Sequence, residues 1–322
     1  MKPGPNYLES LVRQLWDYAD SELVREESLL ESNQRNVARP PVFKKENEIR
    51  NLILPPGASG DICAAVEATI PLKERHRWFR SMKSSQAIAQ SVFGNLIVSG
   101  KLSLLDGLES DQGLPAFCEN LAAANTQLEY SVAHLGEPRP TSVDFWIDGA
   151  RRIAVECKLT EGDFGTCSRP RLREGKDRNF LRDHCDGSYT RQRARNSRCS
   201  LTEIGVKYWD YVPRLFKWDG GENLVPCPLK STYQLVRNVL AACVTSSGQI
   251  EIDNAHALII YDARNPSFQA GGVASEQWKA AREALKFPEL LRSCSWQSVV
   301  DHLAQSGEVE WLTGQLKKKY GL

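Results

Sequence analysis

Apolar residues near the start of the chain, Leu8, Leu11, Leu15, Tyr18 and Ala19, recur at helical spacing. They predict an amphipathic helix within the first 36 residues, ended by Pro40-Pro41. A second helix is expected over residues 61–70, capped by Asp61, and a third from Pro71, interrupted, as far as Val98. Residues 114–125 read as a further helix. The period then changes. Residues 126–133 (TQLEYSVA), 141–148 (TSVDFWID) and 151–159 (RRIAVECKL) predict three successive strands. A Gly- and Arg-rich connection follows over residues 160–200. Helical spacing returns at 201–211 and 231–244, and residues 255–261 (AHALIIY) form an apolar run suited to a buried strand. The last 48 residues read as mostly helical. This order predicts an α/β fold, a mixed sheet with helices on its faces. It divides into a helical N-terminal extension packed on the core (1–75), the core (76–270) and a helical C-terminal region (271–322).

Composition narrows the classes. The chain has 322 residues, 41% hydrophobic and 25% charged, with eight Trp, nine Tyr and ten Phe, so a folded core is expected and general disorder is excluded. No apolar run approaches the ~20 residues needed to cross a bilayer. No secretory leader is visible, and nine cysteines, an odd number at irregular spacing, suit reduced thiols. A cytoplasmic protein without a membrane partner is the expectation. The net charge is +1, but residues 169–198 hold nine Arg and one Lys against four acids, so the rest of the chain is net acidic. Within that block Arg191, Arg193 and Arg195 alternate with other residues and suit a loop that contacts phosphates.

The chemistry concentrates in residues 140–165 (PTSVDFWIDGARRIAVECKLTEGDFG). One predicted strand carries Asp144 among apolar residues, and the next carries Glu156 and Lys158. Side chains alternate along a strand, so Glu156 and Lys158 share a face, about 6.6 Å apart. Charges set in apolar strands need partners or a metal, because isolated burial costs several kcal/mol. Two carboxylates from neighbouring strands beside a lysine form a donor set for a hard divalent cation such as Mg²⁺ or Mn²⁺. The lysine could then position or deprotonate an attacking water, or offset charge in the transition state. The chain has one other acid-x-Lys tripeptide, Glu174-Gly175-Lys176, and it lies in the polar connection.

Asp144, eleven intervening residues and then Glu156-Cys157-Lys158 resemble the PD-(D/E)XK nuclease superfamily, which includes restriction endonucleases. The usual Pro-Asp pair is absent, since Val143 precedes Asp144 and Pro140 lies four residues upstream. The resemblance implies a restriction-endonuclease-like αβββαβ core. It also implies Asp144, Glu156 and the backbone carbonyl of Cys157 as metal ligands, and Lys158 as the catalytic lysine. Residues 76–95, Lys158 to Gly165, and 233–238 (YQLVRN) further resemble a group of restriction-endonuclease-like bacterial proteins, over roughly residues 75–265. On that resemblance Gln86 and Gln234 are accessory candidates. Glu129 and Glu161 are further candidates, from the first strand and from the loop after the third. Arg237 suits a surface ion pair better than a phosphate contact.

The turn imposes a condition. A two-residue Asp148-Gly149 turn would oppose Asp144 to Ile153 and put Asp144 and Glu156 on different faces. A three-residue loop over 149–151 opposes Asp144 to Glu156, so the longer loop or a bulge is predicted. Cys167, His184, Cys185, Cys199 and Cys227 gather in one stretch, yet there is no C-x₂-C pair and the spacing fits no standard zinc finger. The implied function is a Mg²⁺-dependent nuclease acting on DNA in restriction or anti-phage defence, as a homodimer or with a defence-system partner protein. Two alternatives stay open: a nuclease for RNA or branched DNA, and a non-catalytic nucleic-acid-binding or assembly module that kept the fold.

Overall fold

The hydrophobic period changes near residue 125, and there the sheet begins. A computed structural model describes residues 6–23, 29–31, 38–138, 140, 142–167, 185–191 and 196–322. Its five strands are β1 (Asn125–Ser131), β2 (Ser142–Asp148), β3 (Arg152–Cys157), β4 (Ala255–Tyr261) and β5 (Leu291–Ser295). They lie side by side in chain order. β1, β2 and β3 are antiparallel, while β3, β4 and β5 are parallel, giving a mixed sheet.

Among the described residues the α-helices are α1 (Tyr7–Glu22), α2 (Gly60–Ala68), α3 (Ser85–Ala89), α4 (Asn95–Val98), α5 (Ser200–Glu203), α6 (Tyr208–Leu215), α7 (Leu229–Cys243), α8 (Val273–Ala284), α9 (Trp296–Gln305) and α10 (Glu310–Tyr320). A π-helical turn, Gln90–Gly94, joins α3 to α4. Helices flank both faces of the sheet. On one face Phe145, Ile147, Ile153, Val155, Leu258 and Ile260 pack in a cluster with residues of α1, α3, α9 and α10. Phe93 of the π turn stacks on Phe145 at 4.3 Å between ring centroids. On the other face Trp146, Ala154, Ala257 and Ile259 pack with residues of α6, α7 and α8. Each large side chain buried this way stabilises the fold by about 1.5–3 kcal/mol. The β4 run is buried on both sides, as its mostly apolar sequence requires, and the buried His256 finds a partner in the Ala116 carbonyl at 2.9 Å.

Several local expectations need correction. Ser59, not Asp61, caps α2 by accepting the Ile62 N–H, and Asp61 sits in the first turn. Pro71 opens only a short 3₁₀ turn, Leu72–Glu74, and the next α-helix waits until Ser85. The predicted helix at 114–125 is a loop apart from a 3₁₀ turn, Leu121–Ala123. Asp106 accepts the backbone N–H groups of Asn120 and Leu121 there, while Ala116, Phe117 and Leu121 are buried. Those apolar positions therefore pack without a helix. β5 lies inside the stretch read as helical. Three of its five residues, LRSCS, are polar, yet every residue is buried because a loop far earlier in the chain supplies partners. Ser293 donates to Asp111 and accepts from Gln112, and its backbone N–H donates to Gln112. Gly205 breaks the helix predicted at 201–211 into α5 and α6.

Candidate active site

The β2–β3 hairpin sets the geometry. Its register pairs Asp148 with Arg152 and Phe145 with Val155, leaving residues 149–151 as a three-residue loop. The same register opposes Asp144 to Glu156, as the longer-loop prediction requires. Gly149 is fixed by space, since a Cβ there would come within 2.8 Å of the Ala124 side chain. On the other side of β2, Leu128 pairs with Phe145 and Tyr130 with Val143, so Glu129 stands opposite Asp144. Glu129, Asp144 and Glu156 thus form a row across three adjacent strands. Glu129 adopts φ +51°, a left-handed conformation that a non-glycine residue rarely holds and that clusters at functional sites.

Each carboxylate has a different environment. Glu156 is buried; its Oε1 accepts from Lys158 Nζ at 2.8 Å, and its Oε2 accepts from Asn238 at 2.8 Å and Arg237 at 3.2 Å. Burial alone would raise its pKa, but Lys158 and Arg237 outweigh that and hold it below the usual range. Asp144 is half-buried and accepts the Cys157 backbone N–H at 2.6 Å. Among the described residues no Lys or Arg forms an ion pair with it. Burial, then Glu156, then Glu129 push its pKa well above the ordinary range. Glu129 accepts from Gln86 at 2.6 Å and from the Ser142 hydroxyl, and burial is the main cause raising its pKa.

Lys158 is buried and donates to Gln234 at 2.9 Å as well as to Glu156. Burial would lower its pKa, but Glu156, Glu161 and Asp144 more than reverse this, so it stays an ammonium group. Glu161 accepts from Ser85 at 2.6 Å and from the Leu159 N–H at 2.7 Å. Gln86 on α3 also accepts the His76 N–H at 2.8 Å, tying the helix before the sheet to β1.

Two acids facing each other, with the Cys157 backbone alongside, fit a hard cation. Asp144 has no ion-pair partner of its own among the described residues, and repulsion from its neighbours is what a divalent ion would relieve. Among the described residues no group of three or more His, Cys, Asp or Glu side chains closes into a metal cage.

A family model described as restriction endonuclease associating with ARP matches residues 25–321. The chain belongs to that family. Comparison with curated proteins finds no match, and comparison with solved structures finds none. The five-stranded mixed sheet flanked by helices is consistent with a restriction-endonuclease-like fold. No helix among the described residues is long and apolar enough to cross a membrane.

Within this member of the family, the structure brings Asp144, Glu156, Lys158, Glu129, Gln86, Glu161 and Gln234 together. Arg191 is exposed and no contact among the described residues links it to the group. Arg193 and Arg195 lie outside the described residues. Arg237 departs from the surface ion pair expected of it: it is 4% exposed and bound to Glu156. Asn238 and Ser85 were not singled out in the sequence. A signal existed for the first, since Gln234, Arg237 and Asn238 stand at i, i+3 and i+4 on α7 and so share a face.

Proposed function

We propose that the chain is a PD-(D/E)XK-type, Mg²⁺-dependent nuclease that hydrolyses phosphodiester bonds of DNA. The observation that carries this reading is the opposition of Asp144 and Glu156 across one hairpin with Lys158 Nζ 2.8 Å from Glu156. Asp144, Glu156 and the Cys157 carbonyl would hold Mg²⁺ or Mn²⁺, which when bound supplies Lewis-acid charge against the scissile phosphate.

The chain's own groups do the rest. Arg237 and Asn238 fix Glu156, and Gln234 fixes Lys158, so both side chains enter the reaction already oriented. As an ammonium group, Lys158 donates hydrogen bonds. It would orient the attacking water and offset negative charge gathering on the phosphoryl oxygens, rather than take a proton from the water. In-line attack forms the new P–O bond as the bond to the 3′-oxygen breaks, the water giving up its proton to solvent and the 3′-oxygen taking one from solvent.

A cleft of about 510 Å³ opens beside Ser85, Gln86 and Glu161. Arg39, Arg80 and Lys83 line it, which suits a polyanion. Trp78 also lines it, 47% exposed, with the guanidinium groups of Arg77 and Arg80 lying 5.3 and 5.8 Å from its ring. An exposed ring flanked by cations favours a second reading of the substrate, DNA with an unpaired base available for stacking, as at a branch or frayed end. The family description names association with ARP, and we extend that partner and a role in restriction or defence to this chain.

The test is incubation of the full chain with plasmid, linear duplex, branched duplex, single strands and RNA, in Mg²⁺ or EDTA. Cleavage that needs the cation and is lost in Lys158→Ala supports the reading. Nucleic-acid binding without cleavage of any substrate overturns it in favour of a non-catalytic module.

A further inference from the structure

Four cysteines that no sequence spacing joins meet in space. Cys167, Cys185, Cys199 and Cys227 line one small cavity on the α7 side of the sheet, and no cysteine of the chain is in a disulfide. His184, which neighbours them in sequence, lies outside the described residues. We propose that these four cysteines hold a single structural zinc ion, independent of the carboxylate row.

The backbone around the sulfurs carries the argument. Gly187 donates its N–H to Cys185 Sγ at 3.4 Å. The backbone N–H groups of Leu201 and Thr202 beside Cys199, and of Leu229 beside Cys227, favour the thiolate form of each, while Cys185 Sγ also faces the Ser188 carbonyl at 3.7 Å. Gly187 holds φ +94°, which lets the chain fold back over Cys185. Its carbonyl accepts the Cys227 N–H at 2.9 Å, binding two of the cysteine turns to each other.

A second observation points to the same charge. Trp209 is 8% exposed, and its indole N–H is directed at the sulfur of Cys199, where it favours a thiolate. A dication held by the four sulfurs would release the thiol protons to solvent.

Size and charge select the ion. The cavity measures about 10 Å³, the room of one water-sized sphere, too small for a multi-iron cluster. Four sulfur ligands select zinc among single divalent ions. Zinc with four thiolates is a dianion, and Arg198 and Lys230 line the same cavity to offset it. Among the described residues no three of the sulfurs already meet at ligation distance, and each cysteine has one side-chain torsion with which to close the gap.

The experiment is metal analysis of the purified full chain, with the cobalt-substituted protein examined by absorption. One zinc per chain is expected, lost in Cys199→Ser and Cys227→Ser and kept in Cys63→Ser and Asp144→Asn. Cobalt should give a thiolate charge-transfer band and strong tetrahedral visible bands. That spectrum decides the matter if the serine variants do not fold. Zinc at background with a cobalt spectrum lacking thiolate bands overturns the proposal. So does iron accompanied by acid-labile sulfide, which would assign a cluster instead.

Discussion

The backbone N–H of Cys157 on β3 reaches across the hairpin to the Asp144 carboxylate on β2 at 2.6 Å. This bond and the three-residue loop are two ends of one device. The loop sets the register that opposes Asp144 to Glu156, and the peptide then aims the carboxylate. A single neutral donor does not balance the charge of Asp144, so the row of acids stays short of one cation.

That shortage predicts the effect of Asp144→Asn. The raised Asp144 pKa means the native state binds more protons than the unfolded chain above the ordinary Asp value, so stability falls as pH rises through that window. Asp144→Asn removes the repulsion with Glu156 and Glu129. In EDTA at neutral pH it should melt higher than the parent chain, and the rise in melting temperature that Mg²⁺ or Ca²⁺ gives the parent should vanish. A variant that melts lower, with its cation response intact, would place the cation elsewhere.

Lys158 separates catalysis from binding. It is buried and contacts Glu156 and Gln234, and it does not line the cleft beside the site. Lys158→Ala should lower the cleavage rate by on the order of 10²–10³, as for other preorganised donors, while affinity for DNA measured in Ca²⁺ changes little. A parallel loss of affinity would make the lysine a binding group instead.

Much of this site could be read before any coordinates because strand alternation is rigid. Once Asp144 and Glu156 were placed in neighbouring strands, face and loop length were linked by geometry alone. The β4 run, AHALIIY, was equally plain, and its bounds are those predicted. Legibility failed where polar residues are buried by partners distant in sequence. LRSCS becomes a buried strand only because Asp111 and Gln112 satisfy Ser293. Arg237 reads as a surface residue until Glu156, 81 positions earlier, is found beneath it. The cysteines gather in one stretch of the sequence, but their spacing does not show that four of them line a single cavity, since the turns that carry them meet only in space.

Arg237 offers a stability test. It is buried against Glu156, and removing it leaves that carboxylate with Lys158 and Asn238. Breaking a buried ion pair commonly costs about 3–5 kcal/mol, and the remaining partners should hold Arg237→Met toward the lower end. Urea unfolding measures it. A loss under about 0.5 kcal/mol, the range of surface substitutions, would show that the pair adds nothing to the fold.

Lys319 makes a prediction at the far side of the molecule. It lies on α10, 1% exposed, and donates to the Asn51 carbonyl and, at 2.9 Å, to its side-chain oxygen. The Tyr18 and Tyr320 rings lie 5.8 and 5.2 Å away, and no acid forms an ion pair with it among the described residues. Burial pushes its pKa down to about 7. Between that value and the ordinary lysine range the unfolded chain holds a proton that the native chain has released, so native stability rises with pH across this interval. The slope approaches ~1.4 kcal/mol per pH unit at its centre. The same groups otherwise titrate in Lys319→Met, which keeps the volume and loses the charge. Unfolding free energies of the two proteins from pH 7 to 10 should therefore diverge, the parent gaining on the variant with each step. A constant difference would mean that Lys319 keeps its proton inside the fold and that Asn51 and the two rings solvate the ammonium group adequately.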